Sequence, residues 1–306
     1  MARKKDRGRV VNGILLLEKP LNLSSNKALQ AAKQIFDARK AGHTGSLDPL
    51  ATGMLPLCFG EATKVSGLLL DADKTYETDA FFGETRSTGD REGEILQQRA
   101  PGEFDAERFD DVLRRFVGEI SQVPPMYSAL KKDGKALYKL ARKGLDVERE
   151  ARRVSIRELS ILAVDWPRVS LRVRCSKGTY IRTLVEDIGE ALGCGAHVAR
   201  LHRQMAGPFD GQPTYSLEAL QAIAAQGGQG ALDALLLAPD IALQNYPRVA
   251  LLPGEEEYFL AGRTLPAPAG LPQVPAFRVY TSGDRFLGLG EFAGNAQIKP
   301  QRVFNL

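Results

Sequence analysis

Apolar and polar residues follow recognisable periods near the start of the chain. The continuous apolar run Gly13–Leu17 is typical of a short buried strand. A helix is predicted after Ser24 or Ser25, whose side-chain oxygens can accept bonds from the free N–H groups of a helix start, and it should stop near Gly42. The apolar residues of this helix share one face: Ala28, Leu29, Ala32, Ile35 and Phe36. The next segment, Gly42–Gly53, holds three glycines and a proline, so it is predicted to be a shaped loop.

The middle of the chain mixes strand and helix patterns without strict alternation. The alternating segment Thr75–Phe82 is typical of a strand, and Pro124-Pro125 interrupts the regular pattern. This mixture favours an α+β fold. The other predicted elements are strands at Met54–Phe59, Val154–Val164 and Val169–Cys175, and helices at Glu61–Leu70, at Asp105–Val117 and from near Thr179 to Leu192.

A change in composition marks a boundary near residue 245. The glycine-rich bridge Gly227-Gly228-Gln229-Gly230 is followed by Pro239 and Pro247, which are typical of a linker region. We therefore predict one domain over residues 1–245 and a small β-rich domain over residues 246–306. In the second domain, strands are predicted at Phe277–Thr281, Phe286–Phe292 and Ile298–Phe304, the first two forming a hairpin.

Composition is that of an ordinary globular protein, with 43% hydrophobic and 25% charged residues among 306. Its three cysteines, Cys58, Cys175 and Cys194, form no CxxC pair and fit neither a disulfide framework nor a zinc ribbon. The basic start, Arg3 to Arg9, precedes only the short apolar run Ile14–Leu17, too brief for a signal peptide, and no run approaches the ~20 apolar residues of a membrane span. A cytoplasmic protein without membrane association is predicted.

Positive charge is concentrated in one segment, although the formal net charge is only +4. From Lys131 to Arg157 there are ten lysines or arginines and four acids, an excess of six positive charges. Such a patch can neutralise RNA phosphates and release counterions. A solvated helix face would have the same composition, so charge alone leaves both interpretations open.

One acid stands alone in the glycine-rich loop. Asp48 is the only acidic residue between Asp37 and Glu61. A carboxylate with a reference pKa of about 3.9 is ionised at neutral pH and can attack carbon directly to form a covalent intermediate. The alternative is an aspartate that caps a turn next to Pro49, and the spacing does not exclude it.

The loop sequence closely resembles the signature of the TruB family of tRNA pseudouridine synthases. It reads Gly42-His43-Thr44-Gly45-Ser46-Leu47-Asp48-Pro49-Leu50-Ala51-Thr52-Gly53. Asn22 stands where many family members have glycine, and asparagine tolerates positive φ better than most residues. The resemblance extends over nearly the whole chain, through Lys19-Pro20 with Ser24-Ser25, Asp73–Tyr76, Pro124–Lys131, Ser176–Thr183 and Gly195–Val198.

The resemblance implies a pseudouridine synthase fold, with a mixed, largely antiparallel sheet flanked by helices. A basic, mobile insertion at about residues 124–153 would clamp the RNA, with Lys131 among its contacts. The C-terminal domain would be a PUA-like RNA-binding module, punctuated by Gly288, Gly290 and Gly294.

The resemblance also implies a reaction. Asp48 would add covalently to the T-loop uridine at tRNA position 55, the N1–C1′ bond would break, and C5 of the rotated uracil would join the same ribose. The catalytic residues implied are Asp48, Tyr76 and Arg182. No cofactor and no metal are implied, and the partner is the tRNA T arm, bound by a monomer that needs no obligatory protein partner.

Each remaining site residue has an implied role and a plainer alternative. Tyr76 would stack on the flipped base and remove the C5 proton, or it could be core. Arg182 would keep Asp48 ionised, with Tyr180 on the same extended segment, or it could form a surface ion pair. His43 would contact the substrate loop and fill the gap left by the base, or it could be a helix-terminal or loop histidine without a ligand. Leu201 would line the uracil pocket or be core. The other implied substrate-binding residues are Tyr180, Lys19 and Lys131.

Three other functions remain open from the residues. A guide-RNA-dependent synthase of the dyskerin type would need partner proteins, and the long insertion without extended basic tails favours the stand-alone form. A non-catalytic RNA-binding protein could use the same fold with an idle pocket. A glycosidic-bond hydrolase would want a second carboxylate, and the Asp48 loop has none.

Overall fold

The computed structural model describes residues 8–268, 270–294 and 296–306. The basic residues from Arg3 to Arg7 lie outside these ranges. Within them, no helix is long and apolar enough to cross a membrane.

The described elements are strands, α-helices and two 3₁₀ helices, at Gly60–Val65 and Pro239–Leu243. The strands are β1 (Gly13–Lys19), β2 (Ala41–His43), β3 (Ala51–Phe59), β4 (Lys74–Phe82), β5 (Glu84–Arg86), β6 (Ile95–Gln98), β7 (Gly118–Gln122), β8 (Lys131–Lys132), β9 (Lys135–Ala136), β10 (Arg152–Asp165), β11 (Arg168–Cys175), β12 (Ala196–Ala206), β13 (Arg248–Ala250), β14 (Leu265–Pro266), β15 (Phe277–Tyr280), β16 (Phe286–Gly294) and β17 (Gln297–Val303). The helices are α1 (Ser25–Ile35), α2 (Ser66–Asp71), α3 (Ala106–Arg115), α4 (Leu137–Ala141), α5 (Ile181–Leu192), α6 (Leu217–Asp233) and α7 (Glu255–Leu260).

An eight-stranded sheet forms the centre of the molecule. Its order is β1-β3-β12-β4-β11-β10-β7, with β2 paired to β3. Every pairing in it is antiparallel except that of β12 with β3, which is parallel. The prediction of an α+β fold with a mixed, largely antiparallel sheet flanked by helices is therefore confirmed.

The alternation of β4 separates the two faces of this sheet. Tyr76, Thr78, Ala80 and Phe82 are buried, while the residues between them are partly exposed. The buried face joins β4 to the main hydrophobic core, which also takes residues from α1, α3, α5 and α6. This arrangement brings the start of α5 over the same face of the sheet as Tyr76.

The glycine-rich segment is more regular than its composition indicates. The prediction of a loop over all of Gly42–Gly53 is wrong at both ends, because β2 includes Gly42 and β3 already begins at Ala51. Gly53 occupies β3 with φ +103°, and a Cβ there would lie 2.3 Å from the carbonyl oxygen of Arg203. Glycine is needed at this position for close strand contact, which is a role that a count of breakers cannot distinguish from a turn.

Other boundaries differ in smaller ways. The predicted helix at Glu61–Leu70 is a 3₁₀ helix followed by α2. Strand β12 was not predicted as an element. The basic insertion forms the β8–β9 hairpin and α4, and its last residues, Arg152 and Arg153, pair with β7 in the main sheet.

The C-terminal residues form a five-stranded sheet in the order β13-β15-β16-β17-β14. The predicted hairpin is confirmed by the antiparallel pairing of β15 with β16. This sheet has its own hydrophobic core, and Tyr280, Phe286 and Phe304 also pack with Ile14 and Met54 on the back of β1 and β3. The C-terminal unit is therefore docked firmly on the main sheet.

Candidate active site

Asp48 lies in the short loop between β2 and β3, and α1 holds that loop in place. The Ser25 hydroxyl accepts a bond from the Leu47 N–H at 2.7 Å and donates to the Leu47 carbonyl at 3.0 Å. Leu47 and Leu50 are buried on either side of Asp48. The loop is thus fixed by its apolar residues and by Ser25, and the Asp48 side chain remains 37% exposed.

The guanidinium of Arg182 faces Asp48. Nη2 of Arg182 lies 3.0 Å from Oδ2 of Asp48, and the Arg182 side chain is only 4% exposed. The same guanidinium donates to the carbonyls of Thr88 and Tyr127, each at 2.8 Å. The alternative of a surface ion pair is therefore wrong for Arg182, because its guanidinium is buried and is fixed by two main-chain carbonyls beside the Asp48 carboxylate.

A second carboxylate, that of Asp90, lies behind Arg182. Its Oδ2 is 3.8 Å from Nε of Arg182, and its side chain is buried. Oδ1 of Asp90 accepts bonds from the Thr88 hydroxyl at 2.6 Å and from the Glu92 N–H at 3.1 Å. Asp90 was not predicted as a site residue, because nothing in its local sequence separates it from an ordinary turn aspartate.

The neighbouring charges have opposite effects on the pKa of Asp48, the candidate nucleophile. Its recessed position raises the pKa of the Asp48 carboxyl, and the charge of Arg182 opposes that rise. The nearby carboxylate of Asp90 adds to the rise, while the ammonium of Lys19 opposes it. Ionised Asp48 thus depends on its cationic neighbours.

Tyr76 is buried on β4 close to this cluster. It belongs to the main hydrophobic core, as the core interpretation expected. Burial raises the pKa of its phenol, and the guanidinium of Arg203 opposes the rise. The charge of Asp48 also acts on the pKa of Tyr76, so the two side chains share one electrostatic environment.

Tyr180 and Arg182 do not share an extended segment, so that part of the prediction is wrong. Tyr180 is the extended N-cap residue of α5, whereas Arg182 already belongs to its first turn. The main chain of Tyr180 is fixed by Gln122, whose amide accepts its N–H at 3.1 Å and donates to its carbonyl at 3.3 Å. Both residues nevertheless lie near Asp48, since the charges of Asp48 and Arg182 both act on the pKa of Tyr180.

The predicted substrate-binding residues have different environments. Nδ1 of His43 is buried and has no hydrogen-bond partner in the described part of the chain, and burial lowers the pKa of this imidazole. Leu201 is buried on β12 in the main core, opposite Thr78, which lies two residues after Tyr76 on β4. Lys131 lies on the exposed β8–β9 hairpin, shortly after Tyr127. Their contacts with a substrate stay predictions.

Lys19 is fully buried at the end of β1. Its ammonium donates to the carbonyls of Pro20 and Leu23 at 2.8 and 2.7 Å, and lies 3.5 Å from that of Pro49. Asn22 has φ +64° in this turn, as its tolerance of positive φ allows. Burial lowers the pKa of Lys19 to about 8. Lys19 therefore ties the turn after β1 to the residue that follows Asp48.

One turn further along α5, Glu186 gives a testable pH dependence. Burial raises the pKa of Glu186 from its ordinary value of 4.5 to about 7. Folding thus favours the protonated acid, and this stabilisation is complete below pH 4.5 and is lost as pH rises through 7. We expect Glu186→Gln to raise the thermal unfolding midpoint at pH 8 and to flatten its decline between pH 5 and 8, measured by circular dichroism.

Glu190 on the same helix supplies the control. It is more exposed and pairs with Arg99, which lowers the pKa of the Glu190 carboxyl. Glu190→Gln should not raise the midpoint at pH 8. Equal midpoint profiles for the Glu186→Gln and unmodified proteins would contradict the assigned role of Glu186.

Three family models match successive parts of the chain. The model described as TruB family pseudouridylate synthase, N-terminal domain, matches residues 33–181. The tRNA pseudouridylate synthase B C-terminal domain matches residues 182–244, and the C-terminal model of pseudouridine synthase II TruB matches residues 247–304.

Curated relatives are similar over nearly their full length. The chain is 53% identical to tRNA pseudouridine synthase B of Ectopseudomonas mendocina (strain ymp), covering 99% of this chain and 98% of the relative. It is 54% identical to tRNA pseudouridine synthase B of Pseudomonas putida (strain GB-1), covering 99% of each.

Solved structures share the fold at lower identity. A chain of a Cbf5–Nop10–Gar1 complex has a TM-score of 0.73 at 24% identity, covering 97% of this chain and 86% of its own length. A chain of an H/ACA RNP bound to a substrate RNA containing 2′-deoxyuridine has a TM-score of 0.74 at 23% identity, covering 100% and 92%.

Proposed function

This chain belongs to the TruB family of tRNA pseudouridine synthases, and on that premise we propose that it isomerises the T-loop uridine at tRNA position 55, with Asp48 as covalent nucleophile. The observation that carries the proposal is the ion pair between the partly exposed Asp48 and the buried guanidinium of Arg182. Two main-chain carbonyls fix the guanidinium of Arg182 in place. Its charge keeps the recessed Asp48 carboxylate ionised at a position that a substrate can reach.

The reaction needs nothing beyond the chain and its substrate. The Asp48 carboxylate adds to the uridine, the N1–C1′ bond breaks, the uracil rotates, and C5 bonds to C1′. C5 then loses a proton, N1 gains one from water, and release of Asp48 leaves an isomer of the starting uridine. We assign removal of the C5 proton to the Tyr76 phenolate, formed when the phenol gives its own proton to water.

The target base must leave its stack before this chemistry, at a cost of a few kcal/mol. Tyr76 offers an aromatic surface for the extruded uracil, and Leu201 an apolar wall. Nδ1 of His43, which has no hydrogen-bond partner among the described residues, is available to a group of the RNA loop. Recognition would then rest on loop shape and a splayed base, which is the usual mode for single-stranded RNA segments.

The rest of the chain is assigned to RNA binding. We propose a catalytic domain over residues 1–245, with its basic insertion at about 124–153 as a clamp, and a PUA-like RNA-binding domain over residues 246–306. We further propose a cytoplasmic monomer that acts without protein partners. The solved neighbours named above belong to assemblies with other proteins, whereas this chain carries its own basic insertion.

The function is tested with purified protein and an unmodified tRNA transcript. We expect pseudouridine at position 55 and at no other position, mapped by chemical labelling and reverse transcription. A transcript with cytidine at position 55 is the control and should gain no pseudouridine. Modification only after addition of a cell extract, or at a different uridine, would contradict the stand-alone activity at position 55.

The clamp is tested through the salt dependence of binding. We expect the triple change Lys131→Gln, Lys132→Gln and Arg142→Gln to weaken RNA binding and to flatten the plot of log affinity against log salt. Each lost phosphate contact should change its slope by about 0.7 to 0.9. Fluorescence anisotropy with a T-arm RNA from about 50 to about 300 mM salt measures this slope.

Within this triple change, Lys132 already donates to the carbonyl of Glu148 at 2.8 Å, so part of the effect should come from a looser hairpin. A control variant removes three positive charges outside the insertion: Lys33→Gln, Arg114→Gln and Arg115→Gln. If both triple variants flatten the slope equally, the insertion has no special share in RNA binding.

A further inference from the structure

Arg203 is a fully buried arginine in the centre of the main sheet, 1% exposed. On β12 it lies directly opposite Tyr76 of β4 on one side and Gly53 of β3 on the other. Directly opposed residues of an antiparallel pair project from the same face, with Cβ atoms about 4.5 to 5.5 Å apart. Arg203 is therefore the cross-strand neighbour of the tyrosine proposed to take the C5 proton.

The hydrogen bonds of Arg203 reach the loop that carries Asp48. Nε donates to the Met54 carbonyl at 2.8 Å, and Nη2 donates to the Gly45 carbonyl at 3.2 Å. Gly45 belongs to the same loop as Asp48, and Met54 belongs to the strand that follows it. One side chain thus connects Tyr76, the start of the nucleophile loop and the strand after it.

The charge of Arg203 is unusual in its environment. The main-chain carbonyls of Met54 and Gly45 accept its hydrogen bonds, and the Tyr76 phenol interacts with the same guanidinium. None of the carboxylates in the described residues forms an ion pair with it. A buried cation without an anion costs free energy that an apolar side chain of similar volume would avoid. The positive charge opposes the burial-driven rise in the pKa of Tyr76, and it lowers the pKa of His43. Its field therefore favours a phenolate at Tyr76 and a neutral imidazole at His43.

We propose that Arg203 is a positioning residue of this reaction, which holds a fixed positive charge beside the Tyr76 phenol and ties that phenol to the loop carrying Asp48. The inference rests on the proposed role of Tyr76 as the acceptor of the C5 proton. The positive charge of Arg203 favours transfer of the Tyr76 phenol proton to water. The resulting phenolate then takes the C5 proton and becomes a phenol again.

The test compares Arg203→Met and Arg203→Lys with the unmodified protein. Single-turnover pseudouridine formation is measured with excess enzyme from about pH 6 to about pH 9, beside RNA affinity and the thermal unfolding midpoint. We expect Arg203→Met to lose about 10²-fold in rate at neutral pH, the size of effect seen when one preorganised electrostatic group is removed. Because the pKa of Tyr76 lies above this pH range even with Arg203 present, both rates should rise with pH in parallel, and the deficit should stay nearly constant up to about pH 9. RNA affinity should change less than threefold.

Lys74 is the matched control, because its buried ammonium also bonds to main-chain carbonyls, those of Leu70 and Ala72, both at 2.6 Å. Lys74→Met should lower stability without a comparable loss of rate. Arg203→Lys keeps the charge and should recover most of the rate with an unshifted pH profile, which tests the proposal even if Arg203→Met does not fold.

Two results would overturn the proposal: an Arg203→Met rate within about threefold of that of the unmodified protein, or a loss of about 10²-fold in a folded Arg203→Lys protein despite the retained charge. Failure of the unmodified protein to form pseudouridine would refute the proposed function instead. The two failures are therefore distinguishable in one set of assays.

Discussion

Asp48→Asn and Asp48→Ala abolish pseudouridine formation, with an expected loss of at least about 10⁴-fold in single-turnover rate. The amide of asparagine keeps the shape of the carboxylate but is not a nucleophile, so no covalent intermediate forms. The loop should survive both changes, since Ser25 and the buried Leu47 and Leu50 hold it independently of the Asp48 side chain. RNA affinity should therefore stay within about threefold of the unmodified protein. Release of tritium from 5-³H-uridine transcripts measures the rate.

Alanine is included because asparagine can hydrolyse slowly to aspartate, which would restore a trace of activity. The control is Asp79→Asn. The native Asp79 carboxylate pairs with Arg200 at 3.0 Å on the partly exposed face of β4. This variant should keep its rate. Full conversion by Asp48→Ala would eliminate Asp48 as the nucleophile.

Arg182→Met lowers the rate by at least about 10²-fold at neutral pH. Without the guanidinium, the recessed position of Asp48 raises its pKa further, so a smaller fraction is ionised. The protonated acid is inactive, and the deficit should therefore shrink as pH rises. The carbonyls of Thr88 and Tyr127 also lose their donors. Rates from about pH 6 to about pH 9 separate the charge effect from the loss of structure.

Arg182→Lys sharpens the test, since one ammonium keeps the charge but cannot reach two carbonyls and a carboxylate together. It should show a smaller deficit and a weaker pH dependence. The matched control is Arg200→Met, which removes an arginine from the exposed pair with Asp79, where such pairs contribute about 0 to 1 kcal/mol. A normal rate for Arg182→Met would disprove the ionisation argument.

Much of the fold follows from local sequence patterns. The alternation of β4 predicted its buried face, including Tyr76, and the serines before α1 predicted its start, where Ser24 accepts the Lys27 N–H at 3.3 Å. Patterns fail where distant backbone decides the structure. Gly53 is a strand residue because the β12 backbone lies against it, and no local count of glycines contains that information.

The same limit applies to the candidate site, where some residues could be predicted from the sequence and others could not. Asp48 could be selected because it is the one acid in a structured loop, and family resemblance supplied Tyr76 and Arg182. Asp90 and Arg203 could not be selected in this way, because their roles depend on contacts with Arg182 and with the Gly45 carbonyl. These contacts join residues too far apart in the chain for any short motif to include both. Burial of these two charges is a property of the folded molecule.

The shared packing of Tyr280, Phe286 and Phe304 with the back of β1 and β3 has a geometric consequence. The opposite side of β3 adjoins the loop of Asp48, so the span from the C-terminal sheet to the nucleophile is fixed by side-chain contact rather than by a flexible tether. If that sheet binds RNA, the fixed distance selects RNA molecules of matching dimensions. An RNA with the right loop at the wrong distance from its second contact would be rejected.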